Sequence, residues 1–322
     1  MEVLFNKSNN GQAEITDLLG FLSDDFDYDR LETDIELNTP DLINFISKEA
    51  YVKIVEYYKK DSPVDAEKSK FSRVLELCQL YISLMAYYDY SANNDLMHTS
   101  AGRKMNKSTD ETTPWDWQIA SDNAALKKRA YKALDQLINA LDQSKLDEWL
   151  ASDAYKSSKA LFVYNVTVFH KRYPINNSAQ LYFRLVPFMD DFELDEIYPR
   201  INDELFTRLK NSIVPSSGFT PLSIPEKRLL KCIELSVVYL TLAKGYKVFP
   251  IEMFPDKINY RENTKMKSSA RAEVMQFLQS EAEKNLLKIE SIVKKLNAVN
   301  DTSSSTKELL PGLNENNKYV DL

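Results

Sequence analysis

The chain has 322 residues, a length that suits about two domains. Hydrophobic residues make up 43% and charged residues 28%, a globular composition, and the net charge of −7 argues against a general nucleic-acid coat, which needs a basic face. Only 6 glycines are present, so no glycine-rich phosphate cradle of the G-x-G-x-x-G or P-loop type can be built, and a turn-rich all-β protein is disfavoured.

The composition points to helices, and the apolar spacing places them. Thr39-Pro40-Asp41 reads as a helix start, with Thr at the N-cap and Pro at the first position. Leu42, Ile43, Phe45, Ile46, Ala50, Tyr51, Ile54, Val55 and Tyr58 continue it at helical spacing to a Ser62-Pro63 break. A second helix, about 66–90, is apolar on more than one face and is expected to be central. A polar irregular segment, about 93–120, carries Trp115 and Trp117. A third helix is expected from Ser121 to about Leu141, and a shorter one around Leu146–Tyr155. Leu161–Phe169 reads equally as a strand or a buried helix.

The second half follows the same series. A helix is expected over about 193–211, then a linker around Ser217 and Pro221. Ser223-Ile224-Pro225-Glu226 has the form of a capping box opening a helix that runs to Lys244 and stops at Gly245. A second irregular segment reaches about Lys267, a long helix covers Ser269–Val299, and the Ser/Thr/Asn-rich tail is expected to be mobile. Shifting the chain by 155 residues aligns three helices without a net gap: Ile54 falls on Leu209, Leu75 on Leu230, Cys78 on Ile233, Ile82 on Val237, Met85 on Leu240 and Leu134 on Ile289. The expectation is an all-α, tandemly duplicated helical bundle with long irregular loops. Its first unit spans 1–171, its second 172–299, and its tail 300–322. The residues of the central helices just named should be buried.

Little in the chain suggests catalysis. His98, His170, Cys78 and Cys232 have no zinc-site spacing, and both cysteines sit in apolar helical runs as small core residues. No catalytic, cofactor-binding or metal-ligating residue is assigned. Asp24, Asp25, Asp27 and Asp29, and Asp190, Asp191, Glu193, Asp195 and Glu196, form acidic clusters. Paired carboxylates can serve glycoside hydrolysis or cations, but here they read as solvated faces or helix N-terminal charge. Trp115 and Trp117 read as loop anchors or partner-facing aromatics. Lys257, Arg261, Lys265 and Lys267 make the second irregular segment basic, and Arg103 and Lys104 sit in the matching first one. In an acidic protein such cations suit phosphate or an acidic partner, unless they are ordinary solvated loop. No secretory signal opens at Met1–Lys7 and no membrane-spanning stretch is expected.

With these pieces in place, the chain resembles a family of uncharacterised proteins of tailed bacteriophages and prophages of Bacteroidetes, crAss-like phages included. The resemblance rests on Ile15–Gly20, Leu42–Tyr51, Asp95–Arg103, Pro114-Trp115-Asp116-Trp117-Gln118 and Arg184-Leu185-Val186-Pro187, and covers roughly residues 10 to 260. It transfers no active site. It implies a head–tail connector or adaptor ring subunit, with copies of itself, a portal and a tail protein as partners, transient contact with translocating DNA, and residence in the virion after assembly in the host cytoplasm. The rival readings are a small helical enzyme using Asp/Glu chemistry and a cytoplasmic scaffold or cargo protein that forms no ring.

Overall fold

A computed structural model describes residues 2–23, 26–94, 96–99, 102–105, 115–213, 217, 219–249 and 268–304. The fold is all-α. Its helices are α1 (Gly11–Leu19), α2 (Asp29–Ile46), α3 (Lys48–Lys59), α4 (Asp65–Asn94), α5 (Asp116–Ser144), α6 (Asp147–Leu150), α7 (Asp153–Lys159), α8 (Val166–Arg172), α9 (Ala179–Phe192), α10 (Asp203–Asn211), α11 (Ile224–Val248) and α12 (Ser268–Ser304). One small antiparallel hairpin, β1 (Leu96–Thr99) with β2 (Gly102–Met105), lies in the chain between α4 and α5.

The described residues divide into two compact units. Met1–Ala160 and Asn165–Val186 belong to the first; Leu161–Tyr164 and most of the chain after Pro187 belong to the second. In the first unit α4 is central and packs against α1, α2, α3 and α5. Its Val74, Leu77, Cys78, Tyr81 and Ile82 are buried along one stripe, and the buried Ser83 and Ala86 extend burial beyond it, which is why its pattern is not confined to a stripe. The start of the chain is fastened to this body. Leu4 and Phe5 are buried, the Gln79 amide donates to the Leu4 carbonyl at 2.7 Å, and the Tyr51 hydroxyl donates to the Glu2 carbonyl at 2.9 Å. In the second unit α11 and α12 pack lengthwise, burying Leu229, Ile233 and Val237 with Leu278, Ala282 and Ile289.

Several boundaries differ from the sequence expectation. Thr39 and Pro40 do not start a helix; they lie inside α2. Proline there removes one ladder bond, but Leu31, Ile35, Leu42 and Ile46 are buried on both sides of it, and the Thr39 hydroxyl donates to the Ile35 carbonyl at 2.7 Å. The break comes at Ser47 instead, with φ +75°, and the Ser47 hydroxyl accepts from the Ala50 N–H at the start of α3. α5 begins at Asp116 rather than Ser121, so Trp115 is its N-cap and Trp117 lies in its first turn. The 193–211 helix is instead a π-turn, Glu193–Ile197, a 3-10 turn, Tyr198–Arg200, and α10. Leu161–Tyr164 is irregular and α8 follows it. α11 starts on the expected Ser223 capping box, with Pro225 in the first turn and Glu226 closing the box. It runs through Gly245, which is buried, to Val248.

Part of the burial pattern recurs at the 155-residue spacing, while Tyr51 and Phe206, Leu77 and Cys232, and Leu137 and Ile292 differ, the first of each pair buried and the second half-buried. α3 and α10 begin at Lys48 and Asp203. Val74 and Leu229, Cys78 and Ile233, and Ile82 and Val237 are buried in both units. Leu75, Met85, Leu230 and Leu240, expected in the core, are only partly buried, and they depart from the expectation at equivalent positions.

Candidate functional site

Of the residues singled out for partner contact, Arg103, Lys104, Trp115 and Trp117 fall along the chain between the end of α4 and the first turn of α5. Within the hairpin, Arg103 is the register partner of His98, and Lys104 that of Met97. Lys257, Arg261, Lys265 and Lys267, the other expected cations, lie outside the described residues, as do Asp24 and Asp25. Trp115 precedes α5 in extended conformation, and its N–H donates to Gln118 Oε1 at 3.0 Å. Both tryptophans point outward, 71% and 68% exposed, so neither anchors a loop on the body.

The surface beside this end of α4 is aromatic. Phe21 meets Tyr87 edge-on at 5.3 Å, and Phe26 meets Tyr90 at 5.6 Å. Cations from α5 lie over two aromatic rings here: Lys127 at 4.4 Å from Tyr88 and Arg129 at 5.4 Å from Phe21. Arg73 also reaches Gln136 at 2.7 Å. Pairing 73 with 136 and 88 with 127 makes α4 and α5 antiparallel, so the N-terminus of α5 lies at the C-terminal end of α4. The third tryptophan differs from the other two. Trp149 is fully buried and its indole N–H donates to Asp142 at 2.7 Å.

The roles of two carboxylates, the half-buried Asp135 and the buried Glu193, escaped the sequence reading. Asp135 of α5 accepts the Gln180 N–H at 2.8 Å and the Ser178 hydroxyl at 3.2 Å, which caps the start of α9 from a neighbouring helix. Burial pushes its carboxyl up to about 6 against those hydrogen bonds. In the second unit Glu193, 3% exposed, accepts the Phe162 N–H at 2.6 Å and pairs with Lys210. The Lys210 ammonium also sits 4.1 Å from the Phe162 ring centre. Burial raises the Glu193 carboxyl, and Lys210 opposes that rise. Glu193 was expected in a solvated cluster. The π-turn it opens puts it inside instead, and no local spacing in the sequence signals that turn. Both carboxylates are engaged in holding backbone.

Glu226 is the opposite case. Arg208 beside it, together with the capping-box hydrogen bonds of Ser223, holds its carboxyl down at about 2. His170 Nδ1 accepts the Ile175 N–H at 3.1 Å and closes a turn. Cys78 is buried, which raises its thiol, and Cys232 is half-buried. Among the described residues no group of three His, Cys, Asp or Glu side chains is placed to hold a metal ion, and no helix is long and apolar enough to cross a membrane.

Residues 15–159 match the model of a family described as Family of unknown function (DUF6712). The match runs from α1 to the end of α7, within the first unit. No curated protein and no solved structure matches the chain.

Proposed function

We propose that this chain is a non-enzymatic virion structural protein, a head–tail connector or adaptor ring subunit that works between a portal and a tail component. The observation that carries the reading is the tryptophan pair. Two indoles more than two-thirds exposed within three residues keep a large apolar area in water, and such area marks a contact with another macromolecule. The matched helix starts and partly matched burial at 155-residue spacing support a duplicated helical unit, a build that suits assembly more than chemistry. The resemblance over residues 10–260 supplies the setting: the virion, reached by assembly in the host cytoplasm. Arg103, Lys104, Lys257, Arg261, Lys265 and Lys267 would meet an acidic neighbour or the phosphates of passing DNA.

Mass photometry and negative-stain imaging of the purified chain, alone and with a candidate portal, test the reading. Closed rings, or a layer bound to the portal, are expected. Trp115→Ser with Trp117→Ser should reduce either assembly while leaving the helical circular dichroism unchanged. A chain that stays monomeric and ignores the portal overturns the proposal.

A further inference from the structure

The outer face of α2 is acidic, and α5 carries a basic run near its middle. α2 holds Asp29, Glu32, Asp34, Glu36 and Asp41 against a single cation, Arg30. Asp29, Glu32, Glu36 and Asp41 are exposed, and among the described residues none of these four forms an ion pair. Leu37, in the middle of this face, is 67% exposed. α5 holds a basic run, Lys127, Lys128, Arg129 and Lys132, set between the exposed Asp116 and Asp122 on its N-terminal side and Asp135 and Asp142 on its C-terminal side. Lys128, Arg129 and Lys132 are exposed. One helical stripe, at three- and four-residue spacing, joins Lys132 and Lys128 through the exposed Ala125 and Ser121 to Trp117. Both helices pack on α4, and among the described residues no element buries the charged residues just called exposed.

We infer that the acidic face of α2 in one copy docks on the Trp117–Lys132 face of α5 in the next. The inference rests on the ring reading above. Charge complementarity selects the occupant. Glu32 and Glu36 would meet Lys128 and Lys132, and Leu37 would meet the small residues between those lysines and Trp117. Because both halves of the match lie on one chain, every copy offers an acidic face to one neighbour and a basic face to the other. A contact between two different patches stops at a two-fold dimer only where the same two copies satisfy both patches at once. Otherwise it continues to a closed ring, or to a filament where the rotation does not close. The same match explains why a chain of net charge −7 can approach itself: its negative excess is local, and the docking surfaces pair opposite signs.

Charge reversal tests it on the full chain. Glu32→Lys with Glu36→Lys, and separately Lys128→Glu with Lys132→Glu, should each weaken self-assembly by at least about tenfold, because like charges then face each other. Combining all four changes should bring assembly back, since the pairing is reversed but intact. Assembly of the natural chain should also weaken as salt rises from ~0.05 to ~0.5 M and the screening length shortens. Unchanged melting temperatures of the variants certify the fold. If the natural chain assembles and neither reversal alters it, or the combined variant is not restored, the α2–α5 contact is wrong while the ring reading stands. A natural chain that is monomeric at low salt removes both. Lys128→Glu with Lys132→Glu that abolishes retention of duplex DNA yet leaves assembly intact assigns the basic face to nucleic acid and overturns the docking.

Discussion

Asp135 shows how a single carboxylate can be ionised at a cost to the fold. Its folded value of about 6 lies above its ordinary 3.8, so between these values the folded chain binds the proton more tightly than the unfolded one. Its contribution to stability is therefore full below about 3.8 and lost as pH rises through about 6. Asp135→Asn keeps an oxygen that accepts from Gln180 and Ser178 and cannot ionise. The variant should hold its urea midpoint at pH 7 and lose the decline between pH 4 and 6. Asp135→Ala leaves the start of α9 without its acceptor and should cost ~1–3 kcal/mol at both ends of that range. Equal midpoints for the two variants would show that the cap contributes nothing. Glu193 has the same sign of shift, but its partner changes the outcome of substitution. Glu193→Gln strands the Lys210 ammonium among Phe162 and Phe206, and breaking one side of a buried pair costs ~3–5 kcal/mol. Lys210→Met added to Glu193→Gln should recover most of that loss, which a double-mutant cycle in urea reads directly. For Glu226 the sign reverses. Its carboxyl is held at about 2 instead of 4.5, so its stabilisation is present above 4.5 and fades as pH falls toward 2.

At the scale of elements, Gly11 is the position where a side chain has no room. A Cβ there would lie 2.7 Å from the Tyr28 ring, so Gly11→Ala must push the ring away and should cost ~1–3 kcal/mol by overpacking. Thermal melts would show it, and a gain in stability from better helix propensity would mean that Tyr28 moves freely. The core of α11 gives a second comparison. Ile233→Ala should cost ~2–5 kcal/mol, and Leu230→Ala clearly less, because Ile233 is fully buried and Leu230 only partly. The elements legible in the sequence were those whose signal is local and redundant. The α4 run of apolar residues and the Ser223 capping box each specify a helix within a few residues. The missed ones depend on burial and on hydrogen-bond partners, near or distant, that residue spacing does not reveal. Pro40 looks like a helix start until the buried Leu31 and Ile35 before it carry the helix through. Trp115 looks like loop until Gln118 accepts its N–H. Asp135 becomes a cap only because Gln180 arrives 45 residues later. The tryptophans were found as residues, but their exposure is a property of packing and could not be read from spacing.

On the scale of the whole molecule, two cores predict two unfolding events. All three tryptophans, at 115, 117 and 149, belong to the first unit. Trp115 and Trp117 are already in water, so the fluorescence change on unfolding comes from Trp149, which is buried against Tyr155 and Phe183. Helical circular dichroism instead sums both units. Within the first unit the core runs from Leu4 through α4 and α5 to Trp149 without interruption. The second has its own α11–α12 seam and its Glu193–Lys210 pair. Non-coincident transitions by two probes are the signature of units that do not unfold as one. In a urea titration at pH 7, Ile233→Ala should therefore move the circular dichroism curve to lower urea and split it, with the tryptophan curve almost fixed. Leu134→Ala, in the first unit and fully buried, should do the reverse and move the tryptophan midpoint. If both probes trace one curve in the natural chain, and each substitution shifts both equally, the two units unfold as a single cooperative block. The partly repeated burial pattern at 155 residues would then describe two halves of one core.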